Sequence, residues 1–295
     1  MNELKEIAPQ LPESYSGSDV QNVFIALGKA ICYTLLFAAM QLIASFVVTL
    51  AMGIGYAVEQ LTLNGGLDYN TLMTVLYDGV TTNATLITLV SNICTVGVLF
   101  AFFALRKKNL LCEINASPIP ALTYVPLSIM GMCFAVLITF ALGILPISEE
   151  VWEEYNQSAS MIDSAGLIPM LSTVIFAPIA EETVFRGLVY TRLKRAMPAW
   201  VAAILQAAVF GVLHGQILWV AYAFVMGLVL AAIVESTGSL FAGIAVHICF
   251  NLMGGYVMEH IFTESTAPYI VLASIILMVA ATRSAVRIAK SSKSI

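Results

Sequence analysis

The sequence predicts an all-α, polytopic membrane protein with about eight transmembrane helices. Of its 295 residues 60% are hydrophobic and 11% charged, against roughly 25% charged in soluble domains. The mean hydropathy is +0.91. Apolar runs long enough for a hydrocarbon core of about 30 Å recur along the chain, near 24–57, 82–105, 121–145, 167–190, 198–214, 217–234, 239–258 and 268–282. The fifth, sixth and eighth runs are short. This composition excludes a soluble enzyme.

Eighteen Asp plus Glu against 13 Lys plus Arg give a net charge of -5, so no basic surface is offered to nucleic acid. Basic residues collect in cytoplasmic loops, and with both termini inside, every cluster obeys that bias. Lys5, the cluster Arg106, Lys107 and Lys108, the cluster Arg192, Lys194 and Arg195, and Arg283, Arg287, Lys290 and Lys293 all fall on the cytoplasmic side. Glu59, Asp68, Asp78, Glu149, Glu150, Glu153, Glu154, Asp163, Glu259 and Glu264 fall on the other. Only Lys29 and Arg186 are left within spans, and Lys29 is close enough to the first span's end to snorkel to the headgroups.

Three segments follow from this pattern. Residues 1–23 form a polar cytoplasmic tail without the features of a cleaved leader, 24–282 one membrane domain, and 283–295 a basic cytoplasmic tail. The loops at 59–81 and 146–166 are long enough to act as lids. Acidic outer loops suit a bacterial plasma membrane. Five cysteines without C-x-x-C spacing, Cys32, Cys94, Cys112, Cys133 and Cys249, support neither a disulfide framework nor a thiolate zinc site.

An ionisable side chain in hydrocarbon costs about 2.5–3.5 kcal/mol, so each one retained there needs a partner or a task. Five stand out: Glu181, Glu182, Arg186, His214 and His247. They form three patterns on three spans, Glu181-Glu182-x-x-x-Arg186, Phe210-x-x-x-His214 and His247-x-x-x-Asn251. Glu182 and Arg186, four apart, share a helix face and can neutralise each other. Glu181, turned about 100° away, is the carboxylate left for chemistry. Pro178, one turn earlier, removes a backbone hydrogen bond and bends the span. His247 and Asn251 share a face and present a pair of donors. Each motif alone is compatible with a structural staple or a core histidine. Together a Glu, two His and an Asn on three helices make the inventory for adding water to a carbonyl.

Zinc is a second use of the same side chains, with Glu181, His214 and His247 as ligands and a fourth position open, although the one-helix H-E-x-x-H signature is absent. Depth matters to either use. At about 1.5 Å per residue, Glu181 is roughly 16 Å from Arg192 and His247 roughly 12 Å from Ser239, but His214 is roughly 25 Å from Met197. The residues near 198–203 are therefore expected to project beyond the bilayer, with the site in its cytoplasmic half.

E-E-x-x-x-R, F-x-x-x-H and H-x-x-x-N, in that order on successive hydrophobic helices, resemble the CPBP family of intramembrane proteases, which includes CAAX prenyl endopeptidases of the Rce type and bacterial Abi proteins. The motif-bearing part is about residues 167–255. The resemblance implies that Glu181 activates water, that His214 works with it, and that His247 and Asn251 stabilise the oxyanion. Glu182, Arg186 and Phe210 complete the motifs. It implies an endopeptidase acting within the membrane on a membrane-associated or lipidated peptide, with metal dependence open. An ion- or proton-coupled transporter using the same carboxylates, and a non-catalytic immunity or scaffold protein, are the alternatives.

Overall fold

The computed structural model describes residues 20–63, 66, 68–160, 166–263 and 265–292, and among them every regular element is helical. The expected tail through residue 19, with Lys5, and also Asp163, Glu264 and Lys293 lie outside the described residues. In chain order the helices are α1 (Val20–Leu63), α2 (Tyr69–Thr82), α3 (Ala84–Leu105), α4 (Ala121–Ile144), α5 (Glu149–Ser160), α6 (Leu167–Leu193), α7 (Ala199–Val212), α8 (Ile217–Thr237), α9 (Leu240–Ile261) and α10 (Ala267–Ser292). Seven are long and apolar enough to cross a membrane: α1, α3, α4, α6, α8, α9 and the part of α10 over Ala267–Ala285. The eighth apolar helix, α7, has 14 residues and rises only about 21 Å.

Local chemistry sets the ends. Asp68 caps α2, its carboxylate accepting the Thr71 N–H at 3.1 Å. The Gln216 side chain caps α8, accepting from the N–H groups of Leu218 and Trp219 at 2.7 and 3.0 Å. Gly238 closes α8 with a φ of 68°, which glycine adopts without steric cost. Helix α8 outruns its apolar stretch because Glu235 is held by Lys194 at 2.6 Å and by the Tyr190 hydroxyl at 3.0 Å.

The two expected lid loops are largely helical. With 44 residues, α1 extends about 66 Å, roughly twice the hydrocarbon thickness. Its far half is flanked by α2, where Gly79 leaves space for the Met52 side chain. Helix α5 carries four glutamates, Glu149, Glu150, Glu153 and Glu154. Trp152 meets Tyr155, and Tyr155 meets Trp219, edge to face with ring centroids 5.4 and 6.3 Å apart.

Two packed cores hold the bundle. One joins α1, α3, α6, α7 and α8 through residues such as Phe37, Leu99, Phe185, Leu188, Ala202 and Phe210. The other joins α4, α8 and α9 through Leu127, Met226, Leu230 and Val246. In a bilayer, close approach of small residues rather than hydrophobicity associates helices. Gly131 of α4 shows this: a Cβ there would stand 2.3 Å from the Val246 carbonyl oxygen of α9.

Two of the basic clusters, Arg106 to Lys108 and Arg192 to Arg195, meet at one end. Glu113, on the single turn Leu110–Glu113, is paired with Lys108 at 2.9 Å and with the guanidinium of Arg192, which ties the end of α3 to the end of α6. Nearby, Leu240 N–H bonds Asn115 O at 3.0 Å, so the start of α9 lies at the same end. Burial pushes the Glu113 carboxyl up, but Lys108 and Arg192 outweigh it and hold the group below its ordinary value. A depressed carboxyl stabilises the fold above its unfolded-state value and loses that contribution as pH falls through the folded-state value. Glu113→Gln is expected to cost about 1 kcal/mol near neutrality. In thermal unfolding of the purified protein, its difference from the parent should close as pH drops below the ordinary carboxylate range.

Candidate active site

Helix α6 widens on either side of the turn Ala177–Glu181. Over Leu171–Phe176 and again over Glu182–Tyr190 its hydrogen bonds run from residue i to i+5, a geometry frequent at functional sites. In the first stretch Ala177 N–H bonds Ser172 O. The next bond of that register would run from residue 178 to the Thr173 carbonyl, and Pro178 has no N–H to donate. The freed Thr173 oxygen accepts instead from Asn251 Nδ2, on α9, at 2.8 Å. Pro178, expected to bend the span, thus also supplies the acceptor that anchors Asn251.

His214 is fixed by a similar device. The last turn of α7 tightens, so that His214 N–H bonds Gly211 O and leaves the Phe210 carbonyl free. That carbonyl lies 2.8 Å from His214 Nδ1. A carbonyl only accepts, so Nδ1 carries the hydrogen and Nε2 is left open.

Behind these groups sits a fully buried ion pair. Arg186 Nη1 donates to Glu182 Oε1 at 2.8 Å, and both side chains have 0% exposure. The same carboxylate oxygen takes His247 Nδ1 at 3.0 Å. Glu182 is therefore more than the partner of Arg186 inferred from helical spacing, since it also orients an imidazole from another helix. Phe210 is the plate between them. The Arg186 guanidinium carbon lies 4.2 Å from its ring centroid, and the rings of Phe185, His214 and His247 meet it at 5.1, 4.7 and 6.2 Å. Glu182 Oε2 and Arg186 Nε and Nη2 have no hydrogen-bond partner. Gly243, one turn before His247, lets α9 come this close: a Cβ there would stand 2.9 Å from Glu182 Oε2 and 2.8 Å from a Val234 methyl.

Glu181 faces the other way. It lines a cavity of about 510 Å³ together with Phe210, His214, His247 and Asn251, so the four residues expected to carry chemistry share one space. Its Oε2 is 3.6 Å from His247 Nε2, beyond a hydrogen bond and close enough for charge attraction. The cavity continues past Thr173 and Tyr256 to Thr88, Leu142, Ala159 and Glu259. Thr88 and Arg106 mark opposite ends of α3, about 27 Å apart, so the cavity runs away from the basic end. Near its mouth, burial pushes the Tyr155 phenol of α5 up from its ordinary value, against a hydrogen bond with Trp219.

In α7, Ala202, expected beyond the bilayer with its neighbours, is fully buried in the core with Leu188 and Leu193. Among the described residues no group of three or more His, Cys, Asp or Glu side chains is gathered closely enough to hold a metal ion. Glu181, His214 and His247 thus do not fit the zinc cage considered from sequence. Thr173, Gly243 and Tyr256 were not singled out by motif. Gly243 had a signal in its place four residues before His247, whereas Thr173 and Tyr256 had none.

The fold is that of a polytopic, all-α membrane protein, with a cavity lined by Glu181, His214, His247 and Asn251. Residues 163–253, just under a third of the chain, match the model of the Rce1-like family, described as type II CAAX prenyl endopeptidase Rce1-like. The match contains all three motifs, bears out the family resemblance and supports a CAAX-type membrane protease at the level of the family. No curated protein and no solved structure matches the chain.

Gly243→Ala is expected to push the Glu182 carboxylate off His247, costing about 1–3 kcal/mol of stability as overpacking does and lowering peptide cleavage at least about tenfold. Unfolding temperature and cleavage rate check this together. Pro178→Ala restores an N–H that competes for the Thr173 carbonyl. Cleavage should fall roughly ten- to hundredfold while the unfolding temperature stays level or rises.

Proposed function

We propose that the chain is an intramembrane endopeptidase that hydrolyses a peptide bond in a membrane-associated or lipidated peptide. The supporting observation is the shared cavity: Glu181, His214, His247 and Asn251 line it, while Nδ1 of each His and one N–H of the Asn251 amide are taken by partners of their own. A water between Glu181 and His214 Nε2 attacks the carbonyl carbon, and Glu181 takes its proton. Two donors meet the developing oxyanion, His247 Nε2–H and the second N–H of the Asn251 amide. The C–N bond then breaks as Glu181 returns the proton to the amine nitrogen.

The basic end faces the cytoplasm by the charge bias of membrane insertion, with both termini on that side. Substrate therefore enters from the opposite leaflet, past α5. The purified protein, incubated with lipidated and unmodified peptides, should cleave at least one of them. Glu181→Gln and His214→Ala should each lower that rate by about 10²–10⁴ with an unchanged unfolding temperature. Normal cleavage by Glu181→Gln would overturn the assignment of the base.

A further inference from the structure

At the end of the molecule away from the catalytic cavity, a second cleft of about 470 Å³ opens between α1, the end of α3 and the end of α6. Five cations line it, Lys29, Arg106, Lys108, Arg192 and Arg195, with a single carboxylate, Glu113. Glu113 is already shared by Lys108 and Arg192. Among the described residues no acidic side chain pairs with Lys29, Arg106 or Arg195. Arg192 is 6% exposed, and its Nη1 is buried without a hydrogen-bond partner. Burial and the like charge of Arg192 pull the Arg195 guanidinium below its ordinary value, an arrangement that an anion between the two would relieve.

The rest of the cleft is apolar. Ile25, Phe102 and Phe103 form its walls, and the Arg106 guanidinium lies over the Phe102 ring, 4.6 Å from the centroid. Cations thus stand at the boundary between a greasy wall and the open end of the bundle. We infer that this cleft binds the phosphate of an anionic phospholipid headgroup, with the acyl chains leaving along the apolar walls between α1 and α3. Basic pockets between transmembrane helices hold lipid headgroups in this way. A small soluble anion would satisfy the cations and leave the walls uncovered, and for that reason the lipid is the better occupant.

The full-length protein in neutral detergent, titrated with phosphatidylglycerol or phosphatidylcholine in mixed micelles, tests this by thermal unfolding and by native mass spectrometry of retained lipid. Phosphatidylglycerol should raise the unfolding temperature and be retained under conditions that strip phosphatidylcholine. The triple variant Lys29→Gln, Arg106→Gln, Arg195→Gln leaves the Glu113–Arg192 pair intact. It should weaken phosphatidylglycerol binding by roughly tenfold or more, with an unchanged unfolding temperature in phosphatidylcholine. The single variant Arg195→Gln should weaken binding several-fold and carries the test if the triple variant does not fold. Equal affinity for the two lipids, or parental phosphatidylglycerol affinity in the variants, would overturn the inference. So would inorganic phosphate reproducing the whole shift, since the site would then belong to a soluble anion.

Discussion

One carboxylate oxygen organises the interior of this protein. Glu182 Oε1 receives Arg186 from its own helix and His247 from α9, at a position where an unpaired charge is costly. The pair alone could form on an isolated helix; adding His247 makes it a tertiary joint between α6 and α9. Phe210 brings α7 into the same joint by lying under the guanidinium and beside both imidazoles. With Glu182 committed to the interior, its neighbour Glu181 is turned to the cavity. The division of labour between two adjacent glutamates therefore comes from helix rotation plus one buried acceptor.

The remaining polar side chains are held by a different principle. His214 and Asn251 each bond a backbone carbonyl that has lost its usual donor, Phe210 O through a tightened helix end and Thr173 O through Pro178. Backbone irregularity at membrane depth is tolerated where it is buried or lines a cavity, and here it does both. These two departures from the regular ladder each free an acceptor, and each of the two takes a side chain that lines the cavity. The small residues act alongside. Gly243 permits the approach of α9 to Glu182, and Gly131 permits the approach of α4 to α9.

Much of this was legible in the sequence, and the parts that were not share a cause. Hydropathy located the long spans, because a helix that must cross about 30 Å of hydrocarbon leaves a composition signal. Spacing identified the Glu182–Arg186 pair, because neighbours four apart on a helix meet whatever the tertiary structure. The contact from Glu182 to His247 spans 65 positions, and no local pattern encodes it. The wide turns of α6 were hidden as well, since no spacing in the sequence marks where bonding passes from i+4 to i+5. The loops at 59–81 and 146–166 read as lids by length, yet α2 and α5 are short amphipathic helices whose apolar sides are recognisable mainly once Met52 and Trp219 are in place beside them.

The wide stretches of α6 have a bearing on how such a sequence can change over generations. A turn closed by i+5 bonding encloses one residue more than its α-helical counterpart, so loss of a single codon between Leu171 and Tyr190 could be absorbed by the backbone with no break in the rod. A loss within either wide stretch would leave the residues on both sides facing as they do now, whereas a loss inside the α-helical turn Ala177–Glu181 between them would swing one side against the other by about a quarter of a revolution. Length is thus held by rotation in the turn that carries Glu181, and is forgiving in the wide turns that flank it.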